Sequence, residues 1–526
     1  MNDFFSECDH QAFRVFLQEK YQTIARLNEA WGTVFWNQQY SQWDQIALPT
    51  HPKATNPHQH QDMIRFFSWS ARRFVLMQSE ILRRTCDISR QFITTNGLFG
   101  HLDSHAMTKE SLDFLCYDSY PNFAWACSGR QGGEEWLYDR EWSANLTHMR
   151  SVSPDFSIME QQSGPNGWVN GLCAAPAPKP GQMTLWTMQS IAHGANNVSF
   201  FRWRTCNFGT EIYWHGILDA DSCDNRRLAE TKRLHERLAQ LSQLRGARYL
   251  ADVAVAHTYD NDWDEEVDVW HRLLASESSK GIFRAGQLTH TPMDEIYLEH
   301  CTVEDMLQYK AILFPHAFML SEEQAAKLER YVQEGGVLLL GARAGLKDSD
   351  GHIVRRRLPG RLQELCGLSV AEGSFVHPQD EPACVTIGQE QARARVWQDD
   401  LHCETAVSLA KYEDGDFAGR TALAVHTYGK GKVYTWGSTW SEDVFAAMLA
   451  QLNLRTPWQQ TIALTPACEL AVRDSGTVKT FFALNYSAQP QEIQILRPLW
   501  DAQSGRMIQG ARTLAAYEAL VLQEKE

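Results

Sequence analysis

The chain has 526 residues, 44% of them hydrophobic and 21% charged, and its formal net charge is −15 at pH 7. This length and apolar content predict about three domains with sizeable cores, and they exclude general disorder. The sequence has no apolar run of membrane-spanning length, and an acidic chain without a basic stripe argues against nucleic acid and anionic membranes as partners.

The cysteines indicate a reducing compartment. There are 12, they are scattered along the chain, and no C-x-x-C occurs. Such scatter is typical of reduced thiols in a large enzyme and not of a disulfide framework or a zinc ribbon. The first residues carry neither a basic nor an apolar signal region, so we expect a cytoplasmic protein.

Residues 1–247 predict alternating helices and strands. One helix begins near Gln11, and a longer one runs from about His58 to Cys86, with apolar residues at helical spacing that include Met63, Phe67, Phe74, Met77 and Ile81. Four apolar runs that end in polar residues follow, at 92–96, 114–118, 156–160 and 198–202. Such runs are typical of buried parallel strands that end at a polar mouth, so the pattern predicts βα units.

A second α/β pattern occupies residues 248–460. A helix predicted from Arg226 to about Arg245 marks the boundary before it. Ser321–Gln324 forms a capping box that opens a further helix, and buried strands are predicted at 253–257, 311–314 and 337–341. The pattern indicates a doubly wound domain.

Residues 461–526 change to period-two alternation, as in Lys479–Asn485. Alternation of this kind predicts strands with one buried face. We therefore expect a small all-β domain at the end of the chain.

The strongest catalytic candidate is Glu160, which ends an apolar run. A carboxylate at the mouth of a buried strand is either used in chemistry or held in a structural ion pair. Phe201–Arg204 and Glu211–His215 could line a polar ligand site or form a solvated loop with an Arg–Glu pair. Asp118 is a weaker candidate at another strand end. The sequence has no G-x-S-x-G, H-E-x-x-H, P-loop or strand-linked G-x-G-x-x-G motif, so other chemistries fit poorly.

Four strings in this order resemble glycoside hydrolase family 42, the β-galactosidases: Leu27–Trp36, Met159–Gln162, Phe201–Arg204 and Gly209–Gly216. The resemblance covers nearly the whole chain. It implies the C-terminal part of a (β/α)8 TIM barrel over 1–247, a flavodoxin-like or amidotransferase-like trimerisation domain over 248–460, and a β-sandwich over 461–526. It also implies retaining hydrolysis of terminal β-galactosides by a homo-trimer.

The resemblance assigns roles to individual residues. Glu160 corresponds to the nucleophile of the family. The other matches are implied to form the galactose subsite: aromatic walls at Trp36, Trp168 and Phe201, a tyrosine beside the nucleophile at Tyr120, and hydroxyl-binding groups at Glu211 and His215.

One departure from the family pattern concerns the start of the chain. In the family, the acid/base glutamate follows an asparagine at the end of the fourth barrel strand, ahead of the helix that here begins near Gln11. Counting back places that pair before Met1, so we expect strands five to eight without strands one to four. Only Cys8 falls in the zone where some relatives bind zinc, so neither a metal site nor a cofactor is expected.

Three functions remain open on these grounds. The chain could be a β-galactosidase of this family that is inactive alone because it lacks the acid/base glutamate. The second alternative is a hydrolase of another β-glycoside. The third is a non-catalytic remnant that binds sugar or supports oligomerisation. Substrate assays separate the first two, and the sequence upstream of Met1 tests the third.

Overall fold

A computed structural model describes residues 5–49, 56–97, 100–122, 136–169 and 174–524. The helices in these ranges are α1 (Glu7–Tyr21), α2 (Ile24–Ala30), α3 (Pro57–Thr85), α4 (Ser104–Ser111), α5 (Trp136–Val152), α6 (Gln182–Ala192), α7 (Arg226–Ala239), α8 (Tyr259–Val267), α9 (Val269–Leu288), α10 (Val303–Met306), α11 (Glu322–Glu334), α12 (Gln363–Cys366) and α13 (Glu442–Gln451). Within the described ranges, none of them has the length and apolar character that crossing a membrane requires.

The strands divide among the three regions of the chain. The first region contains β1 (Cys116–Ser119), β2 (Ser157–Gln162), β3 (Asn166–Gly167), β4 (Ala174–Ala175) and β5 (Asn197–Phe201). They are followed by β6 (Arg248–Tyr249), β7 (Val253–His257), β8 (Met293–Tyr297), β9 (Ala311–Phe314), β10 (Val337–Leu340), β11 (Leu368–Phe375), β12 (Ala383–Ile387), β13 (Glu390–Ala394), β14 (Trp397–Cys403), β15 (Val407–Lys411), β16 (Thr421–Tyr428) and β17 (Gly431–Trp436). The last are β18 (Ile462–Ala463), β19 (Cys468–Asp474), β20 (Lys479–Asn485), β21 (Gln491–Asp501), β22 (Arg506–Leu514) and β23 (Ala519–Gln523).

Helices α1 and α3 confirm the two predicted N-terminal helices, and local caps fix where they begin. The Ser6 side chain accepts a hydrogen bond from the Asp9 backbone N–H at the start of α1, and Asn56 caps α3 ahead of Pro57. The predicted apolar face of α3 is only partly buried. Its N-terminal part packs in a core, whereas Phe74, Met77 and Ile81 are exposed.

The side of α3 that packs on α4 explains this difference. Ser79 on that side is buried, and its hydroxyl donates to the backbone oxygen of Ser111 at the end of α4. The contact between α3 and α4 is therefore made by the small polar residue Ser79. The large apolar residues Phe74, Met77 and Ile81, whose spacing predicted the buried side, lie on the opposite, exposed side of the helix.

The first region contains a parallel sheet with the order β1–β2–β5. The strand predicted over 92–96 is reduced to a single parallel bridge between Asn96 and Cys116. At the start of this run the Asp113 carboxylate accepts the Ile93 N–H, and backbone hydrogen bonds between the run and β1 are made by the N–H groups of Cys116 and Gly97. Helices α5 and α6 pack on the sheet in one hydrophobic core, which includes Leu146, Met149, Ile158, Leu185 and Met188.

The second region confirms the predicted doubly wound pattern. Strands β8, β7, β9, β10 and β17 are parallel neighbours in that spatial order, which is the flavodoxin-like order 2-1-3-4-5. Strands β16 and β15 extend this sheet in antiparallel fashion. The predicted capping box is present at Ser321 and Gln324, and α11 ends at Gly335, whose φ of 126° suits a residue without a Cβ.

Helix α7 is shorter than predicted. It ends at Ala239, and a 3-10 turn over Ser242–Leu244 completes the run that was expected to continue to Arg245. Leu241 and Leu244 are nevertheless buried, because the turn directs them into the core of the first region. Burial alone therefore does not distinguish a continued helix from a tighter turn.

The last region is a hydrogen-bonded antiparallel sheet whose strands share a core of their own, which includes Ile462, Val472, Phe481 and Ile495, so the expected sandwich stays a prediction. Its order is β18–β21–β23–β20–β19–β6, with β22 beside β21. The long strand β21 shifts register between Ile495 and Leu499, so that one half pairs with β18 and the other with β23, as in a strand that turns a corner of a folded sheet. Strand β6 comes from the chain just after the first region and pairs with β19.

The inner face of this sheet packs on α6 of the first region. Phe482 and Leu484 of β20 and Val521 of β23 lie in the same hydrophobic core as Leu185 and Met188 of α6. The C-terminal sheet therefore completes the core of the first region.

A buried carboxylate joins all three regions. Glu469 of β19 is 2% exposed and accepts hydrogen bonds from Ser143 Oγ (2.8 Å), His193 Nε2 (2.9 Å), Gln287 Nε2 (3.1 Å) and the Tyr486 hydroxyl (2.7 Å). Burial by itself raises the pKa of Glu469, but the attraction of His193 and the hydrogen bonds outweigh burial and lower that pKa to about 2.

Candidate active site

Two parallel strand ends bring the candidate carboxylates together. Strands β1 and β2 pair so that Asp118 lies opposite Glu160, with a register shift just before Asp118. Phe156 and Ile158, fully buried ahead of Glu160, anchor β2 in the core. Glu160 is half-buried in the C-terminal half of this six-residue strand, towards the carboxyl edge where parallel sheets place their functional groups.

Tyr120 fixes the orientation of Glu160. Its hydroxyl donates to Glu160 Oε2 at 2.6 Å. Burial, and then the negative charge of Glu160, raise the pKa of Tyr120, so the phenol keeps its proton and remains a donor. This contact leaves the other carboxylate oxygen of Glu160 available for chemistry.

Aromatic rings surround this pair. The Tyr120 ring contacts Trp214 edge-on at a centroid distance of 5.0 Å and Phe201 at 6.4 Å. Trp168 in turn meets Trp214 at 6.4 Å. Flat apolar faces beside a carboxylate suit a sugar ring, which offers C–H faces between its hydroxyl groups.

Trp214 is the residue that the sequence analysis missed. It belongs to the Glu211–His215 string, but nothing in that string distinguished an inward ring from a loop residue. Its burial, at 8% exposed, and its contacts with both Tyr120 and Trp168 place it at the centre of the aromatic group.

Asp118 lies in a more apolar environment than an ordinary surface carboxylate. Burial, and then the neighbouring Glu160 charge, raise its pKa to about 6, whereas a hydrogen bond from Asn96 acts in the opposite direction. The Asn96 Nδ2 atom donates to Asp118 Oδ2 at 2.9 Å. Within the described part of the chain, the buried Oδ1 atom has no hydrogen-bond partner.

Glu211 and His215 both contact other polar side chains in the structure. Glu211 forms an ion pair with Arg202, whose guanidinium also lies over the Phe201 ring at 4.3 Å. An Arg–Glu pair in this loop was one of the two alternatives that the sequence allowed. His215 Nδ1 contacts Asp219 Oδ1 at 3.2 Å.

His215 also borders the loop that follows β2. Its backbone N–H donates to the Pro165 carbonyl, and a Cβ added at Gly164 would lie 2.7 Å from the His215 Cβ. His215 is thus placed against the chain that carries Glu160, although its ring is turned to Asp219.

Trp36 lies apart from this group. Its ring packs on Phe35 at 4.8 Å and is 81% exposed, in a turn where Trp36 has a left-handed φ of 52°. None of the described ring contacts or hydrogen bonds joins it to Glu160 or Tyr120. Its predicted role as a wall of the galactose subsite stays a prediction.

One group of described residues could supply metal ligands. Ligand atoms of Asp103, His105 and His300 lie within 4.8 Å of one another. Both ring nitrogens of His105 are already hydrogen-bonded, Nδ1 to the Tyr259 hydroxyl at 2.8 Å and Nε2 to the Ser151 carbonyl at 3.1 Å. Within the cluster, His300 Nε2 contacts Asp103 Oδ1 at 3.1 Å.

Sequence comparison identifies the family. The family model described as "Beta-galactosidase" in glycoside hydrolase family 42 matches residues 1–241, and the "Beta-galactosidase trimerisation domain" matches 251–456. The β-galactosidase LacZ of Heyndrickxia coagulans is 30% identical over 494 residues, covering 92% of this chain and 71% of the relative. BgaH of Haloferax lucentense is 28% identical, covering 97% and 74%.

Solved structures agree in fold. The β-galactosidase from Bacillus circulans sp. alkalophilus superposes with a TM-score of 0.89 at 24% identity, covering 100% of this chain and 78% of that one. The enzyme from Halorubrum lacusprofundi gives 0.84 at 26%, covering 99% and 76%.

The fold and the strand-end carboxylates thus define a glycoside hydrolase. More particularly, the chain belongs to glycoside hydrolase family 42, the β-galactosidases. The match over residues 1–241 gives no support to the expectation that half of the barrel is missing.

Proposed function

We propose that this chain is a retaining hydrolase of terminal β-D-galactosides and that Glu160 is its nucleophile. The observation that carries the proposal is the 2.6 Å hydrogen bond from the Tyr120 hydroxyl to Glu160, at a strand end framed by aromatic rings. A carboxylate held in this way is oriented before substrate arrives. The substrate class follows the names of the relatives, which are β-galactosidases.

The chemistry proceeds in two displacements. A Glu160 oxygen attacks the anomeric carbon, the bond to the leaving oxygen breaks, and its electron pair departs with that oxygen. Water then releases the sugar from Glu160. Retaining enzymes place a second carboxyl about 5 to 5.5 Å from the nucleophile to protonate the leaving oxygen. The proposal leaves that acid/base group unassigned, since Glu211 is paired with Arg202 and Asp118 is given another role below.

We infer that the galactose ring is bound between Trp168 and Phe201. Glu211 and His215 bind its hydroxyl groups. To do so, the Glu211 carboxylate must contact both Arg202 and the sugar, and the His215 ring must turn away from Asp219. Trp36 forms an outer wall. The contacts of Trp168 and Phe201 with the rings around Glu160 support the first pair.

The proposal extends to the architecture. The segment ending at Asn96 and strands β1, β2 and β5 are strands five to eight of a (β/α)8 barrel, as their parallel adjacency in chain order suggests. The chain divides at residues 247 and 460. The middle domain forms a homo-trimer, an assembly suggested by the name of the family model that it matches.

Covalent labelling tests the nucleophile. We expect the dinitrophenyl 2-deoxy-2-fluoro-β-galactoside to add one sugar mass to the chain, on the peptide that contains Glu160. Glu160→Gln should abolish the addition, whereas the control Glu211→Gln should still be labelled at Glu160. Labelling of Glu211, or of Glu160→Gln, would refute the assignment. Faster labelling by the matching glucoside would assign the site to another β-glycoside.

Leaving-group dependence tests the acid/base group. General acid catalysis contributes about 10² to 10⁴-fold, and it matters most for leaving groups that depart as poor alkoxides. We expect the purified 526-residue chain to cleave dinitrophenyl galactoside far faster than an alkyl galactoside. Equal rates would show that a residue of this chain, such as Asp118 or Glu211, supplies the proton.

A further inference from the structure

We propose that Asp118 is a positioning residue beside Glu160, whose ionised carboxylate stabilises the positive charge that the sugar develops as Glu160 attacks. The inference rests on the proposed role of Glu160 as nucleophile. It adds a second negative charge to the reaction centre and makes the rate of sugar transfer depend on the protonation of that charge.

The geometry supports a coupled pair of carboxylates. Asp118 and Glu160 are register partners on adjacent parallel strands, so their side chains leave the same face of the sheet side by side. Asn96, on the bridging segment at the other side of β1, holds one oxygen of Asp118. The other oxygen is buried without a hydrogen-bond partner in the described residues, an arrangement that costs stability unless the atom is used.

Few charged groups surround Asp118 in the described part of the chain. The charge of Glu160 on β2 acts on Asp118, and the charge of Asp118 acts in turn on Cys116 and Tyr117 of its own strand and on Tyr120 just after it. Burial raises the pKa of the cysteine and of both tyrosines, so all three stay neutral near pH 7. Asp118 is therefore the group of this cluster whose charge changes near pH 6.

The direction of the pH effect follows from the charge of the transition state. Glycoside cleavage develops positive charge on the sugar ring, and a carboxylate beside the nucleophile stabilises that charge. Burial raises the pKa of Asp118 to about 6, so the group is neutral in weak acid and charged above neutrality. The rate of Glu160 glycosylation should accordingly increase as the pH passes upward through about 6.

The experiment measures the rate of covalent labelling of the full chain by dinitrophenyl 2-deoxy-2-fluoro-β-galactoside from pH 4.5 to 8, followed by intact mass. This reagent needs no acid catalyst, so the rate reports on the nucleophile and its surroundings. We expect the wild type to show a rise near pH 6 that Asp118→Asn lacks. The variant should be about tenfold slower at pH 8, as expected for one nearby charge, and similar to wild type at pH 5.

A second variant separates charge from structure. The Asn96 side chain holds Asp118 Oδ2 and lowers the pKa of that carboxyl, so Asn96→Ser, which shortens the side chain, should raise this pKa. We expect the rise to move to higher pH, with the rate at pH 8 or above largely retained. An equal loss of rate by Asp118→Asn at every pH, or an unmoved rise in Asn96→Ser, overturns the inference. Failure of the wild type to be labelled at Glu160 overturns the proposed function and this inference with it.

Discussion

Replacing Glu469 by glutamine should loosen the whole chain, because one buried carboxylate serves all three regions. Glutamine keeps the shape and removes the charge, much as protonation does. The pKa of Glu469 falls from an ordinary 4.5 to about 2 on folding. At about 1.36 kcal/mol per pKa unit, the charge then contributes about 3 kcal/mol to stability at pH 7. This is a large part of the roughly 5 to 15 kcal/mol of a typical domain.

The pH dependence has a definite sign. A lowered folded-state pKa stabilises the protein above the unfolded value of 4.5, and this stabilisation is lost as the pH falls towards about 2. At pH 3 the contribution of the charge to stability should have dropped to less than half of its value at pH 7. The difference in free energy of unfolding between wild type and Glu469→Gln should therefore be smaller at pH 3 than at pH 7.

Urea unfolding followed by tryptophan fluorescence, at fixed protein concentration, measures the effect. The matched control is Glu304→Gln, which removes an exposed ion pair with Arg330 and should cost at most about 1 kcal/mol. We expect Glu469→Gln to lower the midpoint well beyond the control at pH 7. Equal midpoints for the two variants, or a Glu469→Gln difference that stays the same at pH 3, would refute the reasoning.

The remaining predictions concern the Tyr120 hydroxyl, the packing at Gly281 and the assembly of the chain. Tyr120→Phe removes the donor to Glu160 and should slow labelling about tenfold or more without changing the melting temperature appreciably; unchanged labelling would contradict the orienting role. Gly281→Ala places a Cβ 2.3 Å from the Trp440 carbonyl and should lower the melting temperature by several degrees, whereas the control Gly100→Ala meets no atom within 4 Å; equal melting curves would count against this packing. Light scattering should give three times the chain mass of 60.0 kDa, and a strict monomer at micromolar concentration would count against trimerisation.

The nucleophile candidate was accessible from the sequence because strand periodicity is local. A buried run that ends in Glu160 places that carboxylate at the strand mouth whatever the rest of the chain does. The same logic located Asp118 on the neighbouring strand. It could not locate Trp214, because its inward orientation depends on how the loop after β5 folds over β2.

Contacts between distant segments were likewise out of reach. Glu469 stands in a strand that is buried on both faces, and the sequence of that strand does not say what lies opposite either face. Its partners come from Ser143, His193 and Gln287, far away in the sequence. The prediction that α7 continues to Arg245 was wrong for a related reason, since tertiary packing decides where the helix gives way to a turn.

The packing of α6 against strands β20 and β23 has a consequence for how the molecule opens. Side chains from both ends of the chain fill one core, so the last strands cannot detach without exposing Leu185 and Met188 to water. Backbone amides of α6 and β20 should thus exchange with solvent at a common rate, as one cooperative folding unit. A nascent chain would have to be synthesised almost to its end before the first region could complete its core. Trimming or transplanting the C-terminal strands would then damage the domain that carries Glu160, although none of these strands lies near it in sequence.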